Sequence, residues 1–179
     1  LDRLNEERRA IEAAVQEAAE LQLAGQHNRS VILVSGEGWH PGVIGIVAGR
    51  IKEKTGKPAI VIALDADGTG KGSGRSVSGV DLGAAIISAR EAGLLVAGGG
   101  HAMAAGLTID TEMVDRLADW LDERLAGDVA RATAEKSLLV DALLTPRGLQ
   151  PAFIEAMDGA GPYGTGWPGP RIVTGPVRI

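Results

Sequence analysis

Three short segments hold the residues that could do chemistry. In Gly36-Glu37-Gly38-Trp39-His40-Pro41-Gly42-Val43 an apolar run gives way to a helical pattern. A helix N-terminus offers free N–H groups and partial positive charge, which suit a phosphate. A plain strand-to-helix turn, with Trp39 covering core, fits the same pattern. In Lys71-Gly72-Ser73-Gly74-Arg75-Ser76 the alternate side chains of a strand share one face. Lys71, Ser73 and Arg75 then stand in a row without bulky neighbours, and a guanidinium fork suits phosphate oxygens. The alternative is an exposed edge strand with solvated charges. In Gly98-Gly99-Gly100-His101-Ala102-Met103-Ala104-Ala105-Gly106 three glycines precede an imidazole. His101 could bond a phosphate or a reacting oxygen and carry a proton near neutral pH. A flexible turn with an incidental histidine reads the same run without chemistry.

Other chemistries lack their residues. The only histidines are His27, His40 and His101, and no Asp/His cluster has metal-ligand spacing. No phosphate-binding GxxxxGK[ST] loop and no supported Ser–His–Asp set is present. The chain offers grips for anions and no engine for a reaction.

The elements that must position these segments alternate. Residues 2 to about 26 read as one long helix with Leu4, Ile11, Val15 and Ala18 on a stripe, ended by Gly25 and Asn28. Val31–Ser35 predicts a strand, Val43–Lys54 a helix, and Pro58–Leu64 a strand buried on both faces. Gly70–Val77 predicts a third strand, and Asp81 caps a helix running to Glu91. Met103–Ile109 predicts another strand. A helix carrying Met113, Leu117, Leu121 and Leu125 follows, closed by Gly127. This alternation predicts an α/β domain over 30–127, with a mixed sheet flanked by helices. Residues 1–29 form a preceding helix, 128–136 a polar linker, and 137–179 the start of a β domain. The last part contains a strand at Ser137–Leu144, a helix at Pro151–Met157, a turn-rich loop and a strand at Arg171–Ile179.

Composition sets the bounds. Of 179 residues 45% are apolar but only 3% aromatic, so Val, Ile, Leu and Ala must build the core. There is no cysteine, which excludes disulfides and thiolate metal sites and fits a reducing cytoplasm. No apolar run approaches the roughly 18 residues of a membrane span. The net charge of −5 argues against a generally basic nucleic-acid coat. Residues 36–76 nevertheless hold six cations (Arg50, Lys52, Lys54, Lys57, Lys71, Arg75) against four acids (Glu37, Glu53, Asp65, Asp67), a local +2. A first residue Leu1 and a final strand that stops in mid-pattern predict a piece of a longer chain.

Together the segments resemble the DHH-associated domain of RecJ-type single-strand-specific exonucleases. The resemblance is carried by Trp39-His40-Pro41-Gly42-Val43-Ile44-Gly45-Ile46-Val47-Ala48 with Arg50, and by Gly72-Ser73-Gly74-Arg75-Ser76 with Asp81-Leu82-Gly83-Ala84-Ala85-Ile86. The third match is Gly98-Gly99-Gly100-His101-Ala102-Met103-Ala104-Ala105-Gly106-Leu107. Leu4-Asn5-Glu6-Glu7-Arg8-Arg9 looks like the start of the family's connecting helix. Pro162–Pro170 looks like the loop leading into its OB domain, although Trp167 and Gly169 depart from the family's usual Asn and acidic residue. The resemblance implies 5′-to-3′ cleavage of single-stranded DNA in repair and recombination, with two Mn²⁺ or Mg²⁺ ions held by a DHH half that this sequence lacks. It implies that Ser73, Gly74 and Arg75 bind a substrate phosphate, that His101 and Gly98, Gly99 and Gly100 lie at the scissile one, and that His40 lines the same cleft. A helicase or a single-strand-binding protein is an expected partner in a cytoplasmic setting. Two other readings remain: a DHH phosphodiesterase acting on short RNA or nucleotides, and a nucleic-acid-binding module without catalysis.

Overall fold

The computed structural model describes residues 2–134, 140–164 and 166–175, with side chains from residue 5 onward. The chain divides into two units, Leu1–Glu135 and Lys136–Ile179. The first runs through α1 (Asp2–Gln22), β1 (Ile32–Glu37), α2 (Pro41–Thr55), β2 (Ala59–Leu64), β3 (Thr69–Arg75), α3 (Leu82–Glu91), β4 (Ala97–His101), β5 (Ala104–Asp110) and α4 (Val114–Ala134). The strands form one sheet in the order β1-β2-β3-β5-β4. Only β1 and β2 are parallel, because α2 crosses between them; every other pair is antiparallel.

The sheet has an apolar layer on each face. Ile60, Ile62, Leu107 and Ile109 pack with Leu82 and Ile86 of α3 and with Leu117, Leu121 and Leu125 of α4. Ile32, Val34, Ala59, Val61 and Ala63 pack with Val43, Val47 and Ile51 of α2 and with Val15 and Ala19 of α1. β2 is the strand buried on both sides: Ala59 to Ala63 are at most 1% exposed. The face that carries α1 and α2 is open over β5 and β4, where a side chain added at Gly99 would meet nothing within 4 Å.

Three expectations need correction. The alternative of a flexible turn at Gly98–His101 falls, because the run belongs to strand β4, paired with β5. Helix α4 does not close at Gly127 but continues to Ala134, through most of the stretch expected to be a linker. Leu125 and Val129 are both buried, and that periodic burial outweighs the roughly 1 kcal/mol a glycine costs in a helix. On α1 the buried stripe is Glu12, Val15 and Ala19, whereas Ile11 is 42% exposed. A carboxylate replaces an apolar residue in that stripe because Arg50 of α2 and Arg8 pair with it. The side chain of Leu4 lies outside the described residues.

In the second unit β6 (Ala142–Leu144) pairs in parallel with β7 (Ile172–Thr174), and α5 (Pro151–Gly159) lies between them in sequence. Residues 137–139 and 176–179 of the two expected strands lie outside the described residues. Among the described residues no helix is long and apolar enough to cross a membrane.

Candidate functional site

Strand β3 explains its own sequence. Gly70, Gly72 and Gly74 face the core so closely that a Cβ would come within 2.8, 2.7 and 2.7 Å of Ile62, Leu107 and Leu82. The intervening residues Lys71, Ser73 and Arg75 face the other way, toward α2 and the open part of the sheet. Their cross-strand neighbours extend the pattern, because residues opposite one another on adjacent strands share a face. Arg75 pairs with Ala104, which pairs with His101; Ser73 pairs with Gly106, which pairs with Gly99; Lys71 pairs with Thr108. The middle row therefore has two glycines beside one serine, a floor without side chains. At about 4.8 Å per strand, the backbones of Arg75 and His101 stand about 10 Å apart at the two ends of the row beside that floor, with Ala104 between them.

Arg75 is half-buried, and among the described residues no carboxylate pairs with it. Its Nη1 donates to Ser73 Oγ at 3.1 Å and to the Gly74 carbonyl at 2.8 Å. Arg8, Arg29, Arg50 and Arg131 each meet a carboxylate. A half-buried guanidinium left without a counter-charge is an anion site in its own right. Ser73 accepts from Arg75, so its own hydroxyl proton is free to donate. Lys71 is held by Thr108, its Nζ donating to Oγ1 at 3.1 Å. Nearby Asp67 is held below its ordinary carboxylate range, first by the Thr69 hydroxyl and then by the Thr69 N–H, with Lys71 adding a small attraction.

His101 ends β4, and the two residues that follow it are clamped. The Leu82 N–H donates to Ala102 O at 3.1 Å, and the Ser76 N–H donates to Met103 O at 2.9 Å. The first turn of α3 presses so closely that a Cβ at Gly83 would lie 2.8 Å from the His101 carbonyl. The triple glycine divides by face. At Gly98 a Cβ would meet Ile86 at 2.8 Å, and at Gly100 it would meet the Ala104 carbonyl at 2.3 Å. Packing therefore explains these two, and Gly99 alone leaves open space on the site's face. Gly74 likewise has a packing reason for lacking a side chain.

His40 is the N-cap of α2: its Nδ1 accepts from the Gly42 N–H at 3.0 Å. That bond requires a bare Nδ1, which leaves the proton on Nε2 as an outward donor. It also changes the expectation for the helix end. Pro41 has no N–H, Gly42 is capped by His40, and Val43 N–H donates to His40 O at 3.1 Å. The first-turn donors are used within the helix, so a ligand here meets side chains instead. One residue absent from the sequence reading of the site is Gly45, one turn into α2, which lies against Arg75 and Ser73. Its signals in sequence are a glycine inside a helical pattern and a place in the Trp39–Ala48 segment that carries the resemblance.

The site's donors are a guanidinium, an ammonium, hydroxyls and imidazoles. That set suits an anion and does not fit a divalent cation; among the described residues no group of three His, Asp or Glu could hold one.

The DHHA1 domain family matches residues 28–127. Across the sequence the chain is 38% identical over 188 residues to the single-stranded-DNA-specific exonuclease RecJ of Dickeya dadantii, covering 96% of this chain and 31% of that protein. It is 35% identical over 175 residues to the RecJ of Thermus thermophilus, covering 97% of this chain and 24% of the relative. The crystal structure of the Thermus thermophilus RecJ in complex with Mn²⁺ superposes with a TM-score of 0.72 at 30% identity, covering 94% of this chain and 24% of that one. A structure of exonuclease RecJ bound to manganese gives 0.60 at 32% identity, covering 73% of this chain and 32% of that one. The chain thus spans under a third of the length of these relatives.

Proposed function

Because this chain belongs to the DHHA1 domain family, we propose that its cleft grips the phosphates of single-stranded DNA within a 5′-to-3′ exonuclease whose cutting residues lie in a separate DHH half. The observation that carries this reading is Arg75: a half-buried guanidinium with no carboxylate, bonded to Ser73 beside a glycine floor. The relatives' names supply the substrate class, and their length leaves room for another half.

In this reading Ser73 and Arg75 hold the phosphate at the strand's end. His101, at the far end of the row that Arg75 begins, donates to an oxygen of the phosphate being cleaved. His40 offers Nε2–H to the same strand, and Gly99 lets the backbone approach. Residues 1–29 connect the two halves, 30–127 bind substrate, and 137–179 begin a further nucleic-acid-binding domain of OB type. Solved relatives hold Mn²⁺ or Mg²⁺; such an ion, held by the DHH half, supplies an activated water and charge neutralisation. The residues of this chain orient the phosphate and exclude misplaced strands. Repair and recombination in the cytoplasm, beside a helicase or a single-strand-binding protein, is the setting this activity suits.

The test is a titration of this chain with 5′-phosphorylated and 5′-hydroxyl oligodeoxynucleotides. The phosphorylated strand binds more tightly, and Arg75→Ala removes the difference, at about 1.5–3 kcal/mol for one charge-assisted bond. Equal binding of both strands by the unaltered chain refutes the reading.

A further inference from the structure

We infer that Gly45 is a positioning residue: its missing side chain is the slot in which the Arg75 guanidinium lies, so it sets where the phosphate is gripped. The inference rests on the phosphate reading of the cleft. Gly45 stands inside α2, where glycine is costly compared with alanine. A Cβ built on it would lie 2.9 Å from Arg75 Nη2, 3.1 Å from Ser73 Oγ and 3.6 Å from Arg75 Cζ. No backbone atom is among these neighbours. The obstructed group is the mobile end of a long side chain, which can swing away at little cost to the fold. What an added methyl changes is therefore the place of the guanidinium, and with it the Nη1 bond to Ser73.

The same helix carries its own control. Gly49, four residues on, has nothing within 4 Å of a Cβ. Alanine at either position gains the same helix propensity, but only alanine at 45 meets Arg75. A purely structural glycine predicts parallel behaviour at both sites. A positioning glycine predicts that they part.

The experiment compares Gly45→Ala, Gly49→Ala, Arg75→Ala and Gly45→Ala/Arg75→Ala by melting temperature and by amide NMR titration with inorganic phosphate and a 5′-phosphorylated oligothymidylate. Gly49→Ala melts no earlier than the unaltered chain and binds as it does. Gly45→Ala keeps its melting temperature and binds the phosphorylated strand about tenfold more weakly, the scale of one charge-assisted hydrogen bond. In the Arg75→Ala background Gly45→Ala changes binding no further, the non-additivity of a shared contact. If Gly45→Ala folds poorly, Arg75→Ala restores folding. Undiminished binding by Gly45→Ala overturns the inference while Arg75→Ala still weakens binding. An equal further loss in the Arg75→Ala background overturns it too, as does a folding defect that Arg75→Ala does not repair. If Arg75→Ala has no effect on phosphate binding, the underlying reading falls, and this inference falls with it.

Discussion

Gln26 closes its side-chain amide on the backbone of Leu33, donating to the carbonyl at 2.6 Å and accepting from the N–H at 3.0 Å. Gln22 does the same for Ser35, at 2.8 and 3.3 Å, and Asp122 accepts from the Val31 N–H at 3.4 Å. β1 is an edge of the sheet, so residues 31, 33 and 35 turn their backbone groups away from β2. Two glutamines and an aspartate take the place of the missing strand, and a closed edge cannot pair with another chain. Gln26→Ala should cost about 1–3 kcal/mol, because it leaves two part-buried backbone groups unpaired. Hydrogen exchange at Leu33 should accelerate well ahead of exchange in β2. Unchanged protection at Leu33 would show that the amide pairing contributes nothing.

The buried carboxylate of Glu12, only 5% exposed, joins α1 to α2 through Arg50 and also meets Arg8 at 3.1 Å. Arg50→Ala leaves that charge one partner short and should destabilise the fold by about 1–3 kcal/mol. Urea denaturation measures this. A change within about 0.5 kcal/mol, the scale of an ordinary surface substitution, would mean that Arg8 alone satisfies the carboxylate.

Acid should weaken a second link between these helices. Lys54 holds the Glu20 carboxyl below its ordinary value of 4.5, chiefly by a hydrogen bond, with the Gln16 amide adding to it. A depressed carboxylate contributes stability that is present above the ordinary value and is lost as pH falls through the folded one. The melting-temperature difference between the unaltered chain and Glu20→Gln should therefore hold from pH 7 to about 5 and shrink below 4.5. The pair is reached by solvent, so salt should shrink it as well. A difference that grows on acidification contradicts the assignment.

Two glycines of the sheet should respond in opposite ways. Gly72→Ala drives a methyl into Leu107 and should cost about 1–3 kcal/mol by overpacking. Gly106→Ala meets only the Gly72 carbonyl, at 3.9 Å, and should leave stability unchanged while weakening phosphate binding by filling the floor. Melting temperature and oligonucleotide affinity, read side by side, separate the two effects. Equal losses of stability would deny that the floor is open.

On the proposed reading, His101→Ala in a chain that carries both halves should lower the rate of the cleavage step by about 10²–10³, the usual effect of removing one well-placed donor. His101 is exposed, so the melting temperature should barely move. Single-turnover cleavage at saturating DNA decides: an early-melting variant that cleaves at the normal rate makes the residue structural.

Local chemistry wrote much of this into the chain. Alternation along Lys71–Arg75, the continuous apolar run of β2 and the cap at Asp81 are short-range patterns, because pleat, burial and capping depend on near neighbours. They were sufficient to place strands, helices and the serine–arginine row. Sequence alone could not settle the triple glycine, Gly127 or Ile11, since each answer depends on what packs from elsewhere. Gly98 and Gly100 are small because Ile86 and the Ala104 carbonyl stand against them. α4 passes Gly127 because Leu125 and Val129 are both needed in the core. Glu12 displaces Ile11 from the buried stripe because Arg50, on the next helix, waits to pair with it. The site divides in the same way. Residue type made Ser73, Arg75 and His101 candidates for holding an anion. Only the strand order, which sets β5 between β3 and β4, puts the arginine and the histidine on one face in one row beside a floor of glycines, and only the path of α2 brings Gly45 against the guanidinium. Those are long-range contacts, decided by how layers pack and not by the residues beside each position in the chain.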